Sequence, residues 1–154
     1  MSEKKKTIND YCNYLEEQSK NLNALKEIDP YQFYRQMISL GEKLKPFPSE
    51  YKSPNNRVNN CTTNTYIHAT FSDGVITYQG TSDSEIVKGQ VALLINGLSG
   101  LKPVEIITKS ERCLEDFLKS TGIKEVLTPS RTKFFGNGYL LMKQQATAYL
   151  DKDI

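Results

Sequence analysis

A single cysteine, Cys61, stands in a polar loop whose residue types suit sulfur or nucleophilic chemistry. Asparagines and Arg57 precede it, and two threonines follow it before a strand-like run. A thiol in such a loop, with no second cysteine near it in the sequence, favours thiol exchange or nucleophilic attack over structural packing. Ordinary thiols are mostly protonated at neutral pH, so nearby cations assist them. Arg57 lies four residues upstream, and Arg131 could approach through the fold.

His68, the sole histidine, is the second residue that could do chemistry. A cysteine hydrolase needs a cysteine, a histidine and an orienting amide or acid in contact with each other. Cys61 and His68 form the one candidate pair, and the sequence identifies no third member. Zinc sites use closely spaced Cys and His pairs, which this chain lacks, so we expect no bound metal.

The chain has 154 residues, with 20 basic and 18 acidic side chains, and its composition is typical of a globular protein. The net charge of +2 is too small to predict nucleic-acid binding, and no apolar run is long enough for a membrane span. The amino terminus does not resemble a secretory signal. Three widely spaced cysteines make a poor disulfide framework, so we expect Cys12 and Cys113 to be core residues of a reduced protein. A cytoplasmic location, or an organelle matrix or stroma in a eukaryote, is expected.

The elements before Cys61 are predicted to be two helices. Apolar residues at helical spacing follow Thr7, and Asp29-Pro30 has the pattern of a cap and a first helical residue that opens a second helix through Leu44. Three prolines then favour an extended connection towards the cysteine. They are Pro46, Pro48 and Pro54.

The elements after Cys61 begin with a predicted hairpin. Residues 65–71 alternate in polarity, Asp73-Gly74 favours a tight turn, and residues 75–79 return the chain. Ser82 and Glu85 have the spacing of a capping box ahead of a central apolar helix that ends at Asn96-Gly97.

Three helices complete the predicted fold. A short one covers 103–108, the next runs from Ser110 to a stop at Gly122, and the last begins at Asn137 after a loop at 127–131. We therefore predict an α+β domain over residues 7–150, with a small antiparallel sheet, made of the hairpin and a third strand, packed on one face by about five helices. Residues 1–6 are expected to form a disordered basic tail, and 151–154 a carboxy-terminal tail.

Three segments around Cys61 resemble one known family. Ser-Pro-Asn-Asn-Arg-Val-Asn-Asn-Cys at 53–61, Gly-Thr-Ser-Asp-Ser-Glu-Ile-Val-Lys-Gly at 80–89 and Leu-Thr-Pro-Ser-Arg at 127–131 occur in the order found in SufE sulfur-acceptor proteins. The likeness covers about Asp29 to Leu150. It implies a SufE/IscU-like fold with Cys61 tucked into an apolar pocket beneath its loop at rest.

The resemblance also implies a function. The cysteine at this position accepts sulfur from the persulfide of a pyridoxal-phosphate cysteine desulfurase, SufS-like or CsdA-like, stimulates it, and hands the sulfur on to an iron–sulfur scaffold. The chain itself would bind no cofactor and would be a monomer or weak homodimer. By position, Asp83, expected in the first turn of the central helix, would hold the loop or meet the desulfurase. Arg131 would stabilise anionic sulfur or take part in docking.

The chain departs from the family at positions beside the thiol. Asn60 stands where glycine is usual, Thr62 replaces glutamine and Tyr66 replaces tryptophan. Asparagine tolerates a left-handed backbone, so the turn is expected to survive, whereas Thr62 cannot reproduce a long amide's hydrogen bonds. The segment 132–137, which is a few residues longer than is usual in the family, contains Phe134-Phe135. This pair is either an exposed patch for a partner or a local plug over the core.

Two other functional classes remain open at this point. An iron–sulfur scaffold would need about three cysteines and an acidic or histidine ligand at one site, and a small cysteine hydrolase would need Cys61 and His68 together.

Overall fold

In the described part of the chain, the fold is an α+β arrangement in which seven α-helices pack around one β-hairpin. The computed structural model describes residues 5–127 and 129–152, without the side chains of 129–132 and 152. The helices are α1 (Ile8–Ile28), α2 (Pro30–Glu42), α3 (Glu85–Leu98), α4 (Pro103–Lys109), α5 (Glu111–Thr121), α6 (Ile123–Val126) and α7 (Pro129–Thr147). The strands are β1 (Thr65–Ser72) and β2 (Val75–Ser82).

The first two helices begin at residues whose side chains satisfy free backbone amides. Thr7 and Asp10 form a reciprocal capping box at the start of α1. Asp29 then ends α1 and caps α2, accepting a hydrogen bond from the amide of Tyr31, with Pro30 in the first turn. The predicted opening of α2 is confirmed, although the helix ends at Glu42 rather than Leu44.

The hairpin also follows the prediction but is longer. Its antiparallel register runs from Thr65 opposite Ser82 to Ser72 opposite Val75. Asp73 and Gly74 have φ angles of 55° and 82°, the left-handed values that a tight two-residue hairpin turn requires.

The expected third strand does not form in the described part of the chain. Only an isolated bridge between Arg57 and Tyr66 extends the sheet. The reason is local, because Pro54 begins a 3-10 turn over Pro54–Asn56 just before that bridge, and a second such turn covers Ser49–Tyr51. Proline also has no amide hydrogen to donate to a ladder.

Helix α3 is the central element, buried along most of its length between α2 and β2. Its contact with α2 is so close that a Cβ atom on Gly89 would lie 2.1 Å from the carbonyl oxygen of Met37. The predicted cap is wrong by two residues, since Ser84 rather than Ser82 accepts a hydrogen bond from the amide of Val87. Ser82 ends β2 instead, and its hydroxyl has other partners.

The carboxy-terminal half contains one confirmed and one wrong boundary. Gly122 ends α5 with φ 61°, as predicted. The predicted loop at 127–131 is wrong beyond residue 128, because α7 begins at Pro129 and not at Asn137. Phe134 and Phe135 are 0% and 2% exposed, so they plug the core rather than form a surface patch.

The cysteine prediction is also wrong in one respect. Cys12 of α1 and Cys113 of α5 are partly buried and pack against the core, but they form a disulfide, with Cα atoms 5.4 Å apart, instead of the expected reduced thiols. The two positions are 101 residues apart in sequence, and they meet because α1 packs along α5. Their spacing carries no local signal of this contact.

Among the described residues, no single helix is long and apolar enough to cross a membrane. Helices α3 and α4 together have the length and apolar composition of a span, but they are bent by 115° at their junction. Of the predicted tails, residues 1–4 and 153–154 lie outside the described residues.

Candidate functional site

Cys61 lies at the open end of the hairpin, in the loop that leads into β1. The preceding residue, Asn60, has φ 58°, so it adopts the left-handed backbone expected for this turn. The thiol is half-buried and packs against the edge of the hydrophobic core. Thr62, the next residue, is exposed. The loop therefore holds its thiol partly inward while its backbone faces solvent.

A cluster of three hydroxyl groups lies beside the sulfur, and two of them contact it. The Sγ atom of Cys61 lies 3.3 Å from Oγ1 of Thr63 and 3.6 Å from Oγ1 of Thr65. Thr65 is fully buried, and its hydroxyl lies 2.9 Å from both Thr63 Oγ1 and Ser82 Oγ. Because hydroxyl groups can donate or accept, the cluster can accommodate a thiol and can donate to a thiolate.

The hairpin register brings these hydroxyls together. Thr65 is the first residue of β1 and stands directly opposite Ser82, the last residue of β2. The hydroxyls of Thr63, Thr65 and Ser82 were not predicted as site residues. A signal was present in the sequence, since Thr63 and Thr65 are at strand spacing from each other and the hairpin turn at Asp73-Gly74 fixes which residue of β2 faces them.

Asp83 and Arg57 both hold the loop at Asn64. The carboxylate of Asp83 accepts a hydrogen bond of 3.1 Å from the amide of Asn64, and the Asp83 amide donates to the Asn64 carbonyl at 3.2 Å. A guanidinium nitrogen of Arg57 donates to Asn64 Oδ1 at 2.6 Å. Because α3 begins at Glu85 with Ser84 as its cap, Asp83 lies just before the helix. The expectation that Asp83 is in the first turn of α3 is wrong. The side chain of Arg131 lies outside the described residues.

His68 is separated from the thiol by the strand itself. Thr65, Ile67 and Ala69 are the buried residues of β1, so His68 points to the opposite face. There its ring stacks on Tyr51, with centroids 3.6 Å apart, and its Nδ1 lies 3.2 Å from the side-chain nitrogen Nδ2 of Asn56. Partial burial lowers the pKa of His68, although Glu50 acts in the other direction. The structure does not assemble Cys61 and His68 into a nucleophile–base pair.

The three cysteines do not converge. Cys12 and Cys113 are bonded to each other between α1 and α5, so Cys61 is the free thiol of the chain. Within residues 5–127 and 129–152, no group of three or more His, Cys, Asp or Glu side chains is arranged to hold a metal ion. The geometry therefore presents one exchangeable thiol rather than a set of cluster ligands.

The fold and the site define a class of protein: a small α+β domain that displays one free thiol at the open end of a hairpin. A family profile described as SufE: Fe-S metabolism associated domain matches residues 15–146, most of the chain. The chain belongs to the SufE family.

Individual relatives agree with this assignment. An uncharacterized SufE-like protein of Synechocystis sp. is 42% identical over 124 residues, which cover 80% of this chain and 76% of the relative. The cysteine desulfuration protein SufE of Plasmodium vivax is 36% identical over 79% of this chain and 46% of its own length. SufE-like protein 1, chloroplastic/mitochondrial, of Arabidopsis thaliana is 34% identical over 77% of this chain and 31% of its own length. The chain thus spans less than half of the last two proteins.

A solved structure shows the same fold. The solution structure of a hypothetical protein from Thermus thermophilus superposes with a TM-score of 0.66, covering 90% of this chain and 96% of the other. Sequence identity between the two is 22%, so this likeness concerns the fold alone.

Proposed function

We propose that this chain is a sulfur acceptor, in which Cys61 takes sulfur from the persulfide of a pyridoxal-phosphate cysteine desulfurase. The observation that carries the proposal is the position of the free thiol, which lies in a surface loop at the edge of the core while the other two cysteines are bonded to each other. Family membership supports it, since relatives bear the name cysteine desulfuration protein.

The transfer is an exchange at sulfane sulfur. The Cys61 thiolate attacks the outer sulfur of the donor persulfide, a new S–S bond forms on Cys61, and the bond between the donor's two sulfurs breaks. The donor cysteine leaves as a thiolate and takes up the proton that Cys61 released, so the exchange needs no external oxidant or reductant. The hydroxyls of Thr63 and Thr65 stand where they can donate to the anionic sulfur of Cys61.

Access to a partner's persulfide requires the loop to move outward. The half-buried thiol is held by the hydroxyl cluster and by the bonds from Asp83 and Arg57 to Asn64. Docking would replace these contacts, with the left-handed turn at Asn60 and the exposed Thr62 meeting the desulfurase. Arg131 is assigned a docking or sulfur-stabilising role by its position in the sequence alone.

The proposal extends to partners and place. The desulfurase would be SufS-like or CsdA-like and would be stimulated by this chain, the sulfur would pass to an iron–sulfur scaffold, and the chain would act as a monomer or weak homodimer. It would carry no cofactor of its own and would work in the cytoplasm or in an organelle matrix or stroma.

Intact mass spectrometry tests the transfer step. The chain is mixed with a desulfurase, cysteine and pyridoxal phosphate, and the mass is recorded without reductant. We expect one added sulfur atom on the parent and on a Cys12→Ser/Cys113→Ser variant, and none on Cys61→Ser. Equal sulfur on Cys61→Ser and the parent, or none on the parent, would overturn the proposal.

A further inference from the structure

The outer edge of β2 is only partly covered. Its first half is hydrogen-bonded to the segment after α3: the Ile76 amide donates to the Leu101 carbonyl at 2.9 Å, and the Gly100 amide donates to the Ile76 carbonyl at 2.8 Å. The Tyr78 amide donates to Ser99 Oγ at 3.0 Å. Among the described residues, the cover of this edge ends there.

Gly80 continues the same edge beyond the cover. Backbone groups of alternate residues in a strand point to the same side. Since those of Ile76 and Tyr78 point away from β1, the amide and carbonyl of Gly80 also point away from it. They face a groove of about 440 Å³ that includes Tyr78, Gln79 and Gly80 in its lining. In the described part of the chain this edge has no neighbouring strand at Gly80, and such edges are the kind that extended peptides extend. Gly80 itself is buried, so an added segment must enter the groove to reach its backbone.

The groove is positively charged. Its lining includes Lys6, Lys43 and Lys45 and no aspartate or glutamate. Lys43 and Lys45 are exposed. In the part of the chain that the structure describes, neither Lys43 nor Lys45 forms an ion pair. The charge complementarity of the groove therefore favours an acidic occupant.

We propose that the unpaired edge of β2 at Gly80 is a docking site for an extended, acidic segment of a partner protein, which enters the groove and adds as a third strand beside Lys43 and Lys45. Backbone hydrogen bonds to Gly80 would give the segment its direction, and the lysines would select its charge. The lining also contains Leu44 and Ile95, which suit apolar side chains between the acidic ones. This inference does not depend on sulfur transfer.

The groove lies close to the thiol loop along β2. Two residues beyond Gly80, β2 ends at Ser82, whose hydroxyl belongs to the cluster around the Cys61 thiol. A segment bound along this edge would therefore place its parent protein beside the thiol loop.

The probe for the test is an acetylated and amidated peptide, Glu-Val-Glu-Val-Glu-Val, titrated into isotope-labelled protein. We expect saturable shifts of the Gln79, Gly80 and Thr81 amides and roughly tenfold slower hydrogen exchange at Gly80. A Lys43→Glu/Lys45→Glu variant should weaken binding by about tenfold or more, and Lys43→Gln/Lys45→Gln by less. The charge-matched control, Lys124→Glu/Lys133→Glu, lies on α6 and α7 outside the groove and should bind like the parent.

Several outcomes would overturn the proposal. The peptide Lys-Val-Lys-Val-Lys-Val binding equally well would remove the charge argument. Free glutamate at the same carboxylate concentration producing the same Gly80 shifts would indicate a small-anion site instead of a strand dock. Absence of saturable binding, or binding that leaves the Gly80 amide unprotected, would exclude strand addition. A variant that fails to bind is interpreted only if its amide spectrum matches that of the folded parent.

Discussion

Asp83 and Asn64 form a reciprocal pair, in which each backbone amide donates a hydrogen bond to the other residue, at 3.1 Å and 3.2 Å. The pair ties the Cys61 loop to the junction between β2 and α3. Asp83 is 22 positions after Cys61 in the sequence, and the hairpin brings it beside the thiol loop. The conformation of the loop therefore depends on a residue at the far end of β2.

Removing the Asp83 carboxylate should loosen that loop. We expect Asp83→Ala to lower the free energy of unfolding by about 1 kcal/mol, because the Asn64 amide loses its acceptor, and to make Cys61 alkylation by iodoacetamide several-fold faster. Asp83→Asn keeps an acceptor oxygen and is the matched control. Urea unfolding and timed mass spectrometry measure the two effects, and equal alkylation rates in all three proteins would show that the pair does not restrain the thiol.

The buried hydroxyl of Thr65 should matter for both stability and sulfur placement. Thr65→Val retains the branched shape but removes the hydroxyl that Thr63 and Ser82 share. Those two hydroxyls still lie 3.3 Å apart and keep each other as partners, so we expect the free energy of unfolding to fall by about 1 kcal/mol. Thr65→Ser keeps the hydroxyl, so we expect it to increase the rate of Cys61 alkylation less than Thr65→Val does. A Thr65→Val protein as stable as the parent, with unchanged alkylation, would contradict the role given to the cluster.

The disulfide between Cys12 and Cys113 should stabilise the fold without affecting the thiol site. A cross-link that closes a loop of this length contributes up to about 5 kcal/mol by restricting the unfolded chain. We expect the melting temperature of the parent to fall when reductant is added, and that of Cys12→Ser/Cys113→Ser to be low and insensitive to reductant. Identical melting of parent and variant without reductant would show that the bond is not formed or not stabilising.

Because the pKa of His68 is lowered in the folded protein, we expect the protein to lose stability on acidification. Burial lowers its pKa in the folded protein, so as the pH falls through the ordinary histidine value of about 6.5 the unfolded chain binds a proton more readily than the folded one. The urea midpoint should therefore fall between about pH 7.5 and pH 5.5. His68→Phe preserves a ring to stack on Tyr51 and should reduce this slope, and an unchanged slope would assign it to other groups.

The contact between α2 and α3 depends on the absence of a side chain at Gly89. A Cβ atom there would lie 2.1 Å from the Met37 carbonyl oxygen, so Gly89→Ala must separate the two helices and should cost about 3 kcal/mol or more. Gly136→Ala in α7 is the control, because nothing lies within 4 Å of its Cβ position. That change should be neutral or slightly stabilising in chemical unfolding, and equal effects of the two substitutions would contradict the packing argument.

Features of the fold set by local chemistry were predictable from the sequence. The Asp29-Pro30 helix start, the Asp73-Gly74 turn and the Gly122 stop each follow from the backbone preferences of those residues. They needed no knowledge of distant contacts.

Features that depend on distant contacts were not predictable in the same way. Ser82 has the spacing of a helix cap, but its hydroxyl is engaged across the hairpin by Thr65. The predicted last helix begins at Asn137, where its apolar pattern starts, whereas α7 begins at Pro129 and buries Phe134 and Phe135 in the core. The disulfide was missed because only the packing of α1 on α5 brings its cysteines together.

That disulfide makes most of the chain a covalent ring. The ring runs from Cys12 to Cys113 and includes the thiol loop, both strands and the central helix α3. A protease that cuts the backbone once within the ring, for example beside Cys61, would therefore release no fragment until the disulfide is reduced. The segment that has to move for sulfur exchange can be nicked without the two halves of the protein coming apart.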